Sequence, residues 1–219
     1  MEVRKIPRTK NPEETRQKIL NASQKLFIEK GYDETTILDI VAELGGLTRG
    51  AFYHHFKTKE EVLNAILDKQ LEQIHPFTNK NIKGENGLEK IKSSFSYWSE
   101  NMNEDFKNIQ RIAIKLLKNP KFLVEHIKEN QIASKSIIPL LEEGMKDGSI
   151  KRNNPKLLAE LIFMLVNFWL IPEVYPMTLE EFREKSKFIK ETLDALGCPI
   201  FTEDTLQSLD NIIEIIFSD

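Results

Sequence analysis

One cysteine, Cys198, stands in a chain of 219 residues, so no internal disulfide can form and the fold must rest on packing. A reducing, cytoplasmic setting is the expectation that follows. No run of eighteen apolar residues occurs, so neither a membrane-spanning helix nor a membrane partner is expected. The first ten residues carry Arg4, Lys5, Arg8 and Lys10 with no apolar stretch behind them, so a secretory signal is not expected either. Histidines number four. His54 and His55 are neighbours that would face apart on a helix, and only His75 and His126 remain, so neither a metal nor a cofactor is expected. A Gly-rich phosphate loop and a Gly-x-Ser-x-Gly elbow are both missing, and no Ser, His and acid stand at a catalytic spacing. These absences argue against an enzyme, and one with its site in the C-terminal half is the least supported alternative.

What is present suffices for a sizeable core: 40% of the residues are hydrophobic and 30% are charged. The net charge of −3 argues at first against a nucleic-acid partner, but its distribution is uneven. Residues 1–60 hold 11 Lys and Arg against 9 Asp and Glu, and the rest of the chain holds 20 against 25. The positive excess lies before residue 11, where only Glu2 opposes four basic residues. Such an arm can touch phosphates or enter a minor groove, and it can equally be a solvated terminus.

Helix punctuation is dense in the first seventy residues. Asn11-Pro12-Glu13-Glu14 reads as an N-cap, a first-turn proline and acids at the positive end of the dipole. Ile19, Ala22, Leu26 and Phe27 continue that helix to Gly31. Thr36 caps a second helix, with Asp39 in a capping-box position and Ile37, Ile40, Val41 and Leu44 on one face, up to Gly45-Gly46. Thr48 caps a third, to about Phe56, and Thr58-Lys59-Glu60-Glu61 opens a fourth that His75-Pro76 should end or bend. Further helices are expected over 86–104, 106–118, 120–147, 155–171, 178–196 and 202–217, with Pro139 kinking or splitting the third of these. No stretch alternates with period two, so the class is all-α.

Residues 36–56 have the proportions of a helix-turn-helix: two short helices, a glycine-containing turn, and inward faces made of Ile37, Ile40, Val41, Leu44, Leu47, Ala51, Phe52 and Phe56. Thr48, Arg49, Gly50, Tyr53 and His54 are left outside, a face with one cation, several hydrogen-bonding groups and no carboxylate. Thr36 and Thr48 sit at helix starts, where a hydroxyl and free N–H groups suit a phosphate. Arg49 suits a bidentate contact to guanine or a phosphate, Gly50 would admit close approach, and Tyr53, His54 or His55 offer donors to phosphates. Lys59 could hold a phosphate at the edge of the footprint. Only Arg49, Gly50 and Ala51 are placed to read bases. Capped helix pairs with a Gly-Gly turn also occur in proteins that bind no DNA, so geometry alone leaves both readings open.

The spelling of the segment goes further. Thr36 to Leu63, with the core Ala-Phe-Tyr-His-His-Phe-Lys-Thr-Lys-Glu (51–60), closely resembles the DNA-binding domain of TetR-family regulators, over about residues 13–65. The resemblance implies phosphate contacts from Thr36, Thr48, Tyr53, His54, His55 and Lys59, and base-proximal roles for Arg49, Gly50 and Ala51. Gly45-Gly46 departs from the family's single glycine followed by Val-Ser. The implied architecture is an N-terminal three-helix helix-turn-helix domain (1–60, with a basic arm 1–10) and a larger helical ligand-binding and dimerisation domain (61–219). The boundary should fall within the fourth helix. The implied function is a ligand-responsive transcriptional regulator, a repressor, that binds a palindromic double-stranded operator as a homodimer and is released by a small-molecule effector.

The second half is less explicit. Pro155 to Leu170 is apolar nearly all round and must be buried on several sides, within its own domain or by a second subunit. The resemblance favours a two-fold interface from this helix and 178–196. Phe95, Trp98 and Met102 at i, i+3 and i+7, with Phe163 and Asn167 one turn apart, are the candidates for an effector pocket. A stripe of this kind is also ordinary core. Asn167 stands out because an amide in an apolar run needs a buried partner. A helical adaptor that binds another protein through 155–171 is the remaining alternative, and it leaves the donor-rich face at 48–55 without a purpose.

Overall fold

The computed structural model describes residues 11–74, 77 and 82–217, and among them every regular element is helical. The basic arm 1–10 and the His75-Pro76 break lie outside the described residues. Two compact units emerge: one takes the chain up to Glu72 together with Asn108–Ile112, the other takes Gln73–Lys107 and the chain from Ala113 onward.

In the first unit, α1 (Pro12–Glu29) starts where Asn11 Oδ1 accepts the Glu13 N–H at 3.1 Å, a cap worth about 1 kcal/mol. It buries Ile19, Leu20, Ala22 and Phe27 and stops at Gly31, whose φ of 91° suits glycine. Helix α2 (Ile37–Glu43) opens with the full Thr36/Asp39 capping box. Gly45 takes the left-handed turn position at φ 58°, and Gly46 does not. Helix α3 (Arg49–His55) is capped by Thr48 through the Ala51 N–H. Helix α4 (Lys59–Ile74) begins with Thr58 Oγ1 accepting from the Glu61 N–H. The return bond is displaced by one residue from the expected box, because the Glu61 carboxylate accepts from the Lys57 N–H at 2.7 Å. Phe27, Ile40, Phe52, Phe56, Val62, Leu63 and Ile66 are buried.

The second unit holds α5 (Gly87–Glu100), α7 (Pro120–Ala133), α8 (Ile138–Asp147), α9 (Pro155–Met164), α10 (Leu179–Ala195) and α11 (Glu203–Phe217). Helix α6 (Glu104–Leu116) contributes to both units. The apolar core joins Ile91, Ile137, Leu141, Ile150, Leu158, Ile162, Phe182, Ile189, Leu193 and Phe201. Gly87 and Gly144 bring the backbones of α5 and α8 together: a Cβ built on Gly87 would lie 2.2 Å from the Gly144 nitrogen and 2.6 Å from the Leu140 oxygen. The same end of α5 is tied down by Asp147, which accepts the Gly87 N–H at 2.8 Å, and by Ser149 Oγ, which accepts the Leu88 N–H at 3.2 Å.

Three expected segments come out differently. The 120–147 helix is split, as Pro139 requires: α7 ends at Ala133, a 3-10 turn covers Ser134–Ile137, and α8 carries the proline in its first turn. The 86–104 helix ends at Glu100, where Asn101 Nδ2 donates to the Tyr97 carbonyl and Asn103 caps the next helix, so Met102 lies between helices. The 155–171 helix is α only to Met164 and continues as a π turn, Leu165–Trp169, in which the Leu170 N–H reaches the Leu165 carbonyl at 3.2 Å.

Candidate nucleic-acid interface

Helix α3 is anchored from beneath by Phe52 and Phe56, both buried, with ring centroids 6.2 Å apart. With that side fixed, Thr48, Arg49, Gly50, Tyr53 and His54 are exposed, and Ala51 and His55 are half-buried. The Arg49 guanidinium lies over the Tyr53 ring at 5.6 Å, a cation–π contact that holds both side chains outside the helix. The Thr48 hydroxyl accepts from the Ala51 N–H at 3.2 Å, which leaves its own proton to give. His54 and His55 set their rings edge to face at 5.2 Å.

Gly50 has a helical φ, and a Cβ there would meet nothing nearer than Thr48 Oγ1 at 3.9 Å. Neither backbone conformation nor packing among the described residues calls for glycine at this position. An exposed helical glycine costs about 0.5–1 kcal/mol relative to alanine, a cost that close approach of a partner from outside the helix would offset.

Both carboxylates of α2 are paired with lysines of α1 and its C-cap. Lys25 pairs with Glu43 and Lys30 with Asp39, both at 2.7 Å. Asp39 is held well below the usual carboxylate range, by Lys30 first and then by the Thr36 N–H and hydroxyl. Thr36 is thereby occupied: its hydroxyl donates to Asp39 Oδ2 at 2.7 Å and accepts the Asp39 N–H at 3.2 Å. Lys59, expected near a phosphate, turns elsewhere. Its Nζ donates to the carbonyls of Tyr32, Asp33 and Thr35 at 2.6, 3.1 and 3.1 Å and lies 4.4 Å from the centroid of the Tyr32 ring. Nothing in the residue types around position 32 announces this arrangement, because the acceptors are backbone.

In the second unit, Phe95 and Phe163 both reach Phe77, at ring separations of 5.3 and 6.2 Å, and Phe95 also meets Phe201 at 5.7 Å. Trp98 and Met102 are half-buried, and Met102 is off the helix that carries Phe95. Asn167 has the buried partner its position demands: its Nδ2 donates to Oδ1 of buried Asn130 at 2.9 Å. The π turn also presents the Asn167 carbonyl, which accepts from His126 Nε2 at 3.0 Å. His126 and Asn130, one turn apart on α7, were not anticipated from the sequence; their i, i+4 spacing is the only signal they carry.

Comparison with known proteins agrees with this geometry. Residues 19–66 match the family model described as bacterial regulatory proteins, tetR family. The transposon Tn10 TetC protein of Escherichia coli is 33% identical over 99 residues, 45% of this chain and 50% of that protein. The HTH-type transcriptional regulator TtgR of Pseudomonas putida is 45% identical over 71 residues, 32% of this chain and 33% of that protein. The chain thus spans half or less of the length of these relatives. The crystal structure of a TetR-family transcriptional regulator from Pectobacterium atrosepticum superposes with a TM-score of 0.60 at 21% identity, over 87% of this chain and 98% of that one, so the helical fold extends well past the matched segment. Residues 19–66 are thus similar in sequence to the DNA-binding segment of tetR-family regulatory proteins, and the larger helical unit shares the fold of solved structures that carry such a segment.

Proposed function

We propose that this protein is a DNA-binding transcriptional regulator, a repressor, that sits on a palindromic operator as a homodimer and leaves it when a small-molecule effector binds. Helix α3 enters the major groove with Arg49, Gly50 and Ala51 toward base edges, and Thr48, Tyr53, His54 and His55 serve the phosphates, with Thr36 beside them. The observation that carries this reading is the bare surface at Gly50, flanked by the exposed donors of Thr48, Arg49 and Tyr53 on a helix without a carboxylate.

Support for a dimer comes from apolar side chains left outside a single chain: Leu157 and Met164, one heptad apart on α9, and Phe188 on α10 are each about 60% exposed. The effector is assigned to the second unit, with Phe95, Trp98, Met102, Phe163 and Asn167 as its candidate wall. It would act by binding more tightly to a dimer whose recognition helices no longer match half-sites about 34–36 Å apart.

The test is Gly50→Ala in the full chain, with an operator obtained by selection from random duplexes. The variant should melt slightly higher, by up to about 1 kcal/mol of stability, while binding the operator roughly tenfold or more weakly. Two chains should bind per duplex. Unchanged affinity in a stabilised variant would sink the reading.

A further inference from the structure

We infer that Lys59 is a positioning residue of the DNA-facing module, which fastens the α1–α2 loop to the start of α4, and is not a ligand of a DNA phosphate. The inference rests on the reading of α3 as the DNA-contacting helix. An ammonium has three N–H donors, and three converging carbonyls, of Tyr32, Asp33 and Thr35, account for all of them. The side chain is half-buried, with its Nζ also against the face of the Tyr32 ring. To reach a phosphate, Lys59 would have to give up at least one of these three bonds.

The position in the helix says the same. Lys59 is the first residue of α4, where a cation opposes the helix dipole. Glu60 and Glu61 follow it and suit that end; Lys59 does not, unless acceptors outside the helix hold it. The three carbonyls are those acceptors, and they belong to the loop between α1 and α2, where the Tyr32 carbonyl also accepts the Thr35 N–H at 3.3 Å.

The loop leads directly into Thr36, the cap of α2. From the other side, Lys30 holds Asp39, which in turn holds the Thr36 N–H and hydroxyl, and the Thr35 hydroxyl donates back to the Gly31 carbonyl at 2.6 Å. The beginning of α2 is therefore fixed between two lysines, one on each flank. Since α2 packs on α3, Lys59 sets where the recognition helix stands relative to α4 without touching the nucleic acid.

The experiment uses the full chain with Lys59→Met, which keeps the stem and removes the donors, and Lys59→Gln, which keeps two N–H donors and no charge. Two quantities are read: amide exchange over residues 31–37 without DNA, and the salt dependence of operator affinity. Exchange should quicken in Lys59→Met by about tenfold or more, through local opening of the loop, and by less in Lys59→Gln. Affinity should fall in both while the slope of log K against log salt stays that of the wild type. Loss of one phosphate contact lowers that slope by about 0.9; a drop of that size overturns the inference, as does wild-type exchange in Lys59→Met. If Lys59→Met does not fold, Lys59→Gln decides by the same two criteria. A wild-type protein with no preferred duplex defeats the functional reading and leaves the exchange result to stand for the loop.

Discussion

Single side chains in this protein divide by whether their partner is near in sequence. Thr36 and Asp39, Asn11 and Glu13, and Thr178 and Glu181 are caps whose two members lie within three residues, and all are legible from spacing alone. Lys59 and Asn167 are of the other kind. The need of Asn167 for a partner could be read, but the identity of that partner, Asn130, depends on how α7 packs against α9. Ser23 shows a position where nothing was found to pair: it is 0% exposed in α1, and among the described residues its hydroxyl has no hydrogen-bond partner. A buried unsatisfied hydroxyl costs about 1–3 kcal/mol. Ser23→Ala should therefore raise the urea midpoint, and a lower midpoint would mean that the oxygen has a partner or a task. Cys198 is also fully buried, and burial, then the charge of Asp194, pushes its thiol up to about 12, so at neutral pH it is a small apolar filler and not a nucleophile.

At the scale of elements, helix starts were readable and helix interiors were not. Pro139 could be seen to break its segment, because a missing N–H acts wherever the residue stands. The early stop of α5 could not, since Asn101 and Asn103 satisfy ends that the apolar pattern would have run through. The crossing of α5 and α8 was equally hidden: Gly87 looks in sequence like punctuation, while in the fold it lies against the Gly144 backbone with no room for a side chain. Gly87→Ala should destabilise the protein by about 1–3 kcal/mol or more, because the added methyl meets backbone that cannot turn aside. Denaturant unfolding checks it against Gly50→Ala, whose change has the opposite sign. A neutral Gly87→Ala would mean that the two helices can part at little cost.

For the molecule as a whole, pH offers a reading of how much its helix ends matter. Asp39, Asp147 and Glu181 all lie below the usual carboxylate range. The causes are Lys30 and Thr36 for Asp39, Ser149 and then the Gly87 N–H for Asp147, and the Thr178 N–H and hydroxyl for Glu181. A carboxylate depressed in the folded state binds its proton more readily when unfolded. Its stabilising effect is thus complete above the unfolded value, about 4, and disappears as pH falls through the lower folded value. Melting temperature should hold from pH 7 to about 5 and decline below pH 4, and Asp147→Asn should flatten part of that decline. A constant melting temperature down to pH 3 would contradict the assignment of these caps.

The π turn at Leu165–Trp169 has a consequence for how the far end of that helix is aimed. One additional residue in a turn rotates everything after it by about 100° around the axis. Phe168, Trp169 and Leu170 consequently point in directions that a regular count from Pro155 assigns to their neighbours. The ring of Phe168 stands 5.1 Å from His126, and that of Trp169 stands 6.0 Å from Phe188. Removing a single residue from this stretch would exchange those orientations wholesale, leaving the composition of the helix almost untouched.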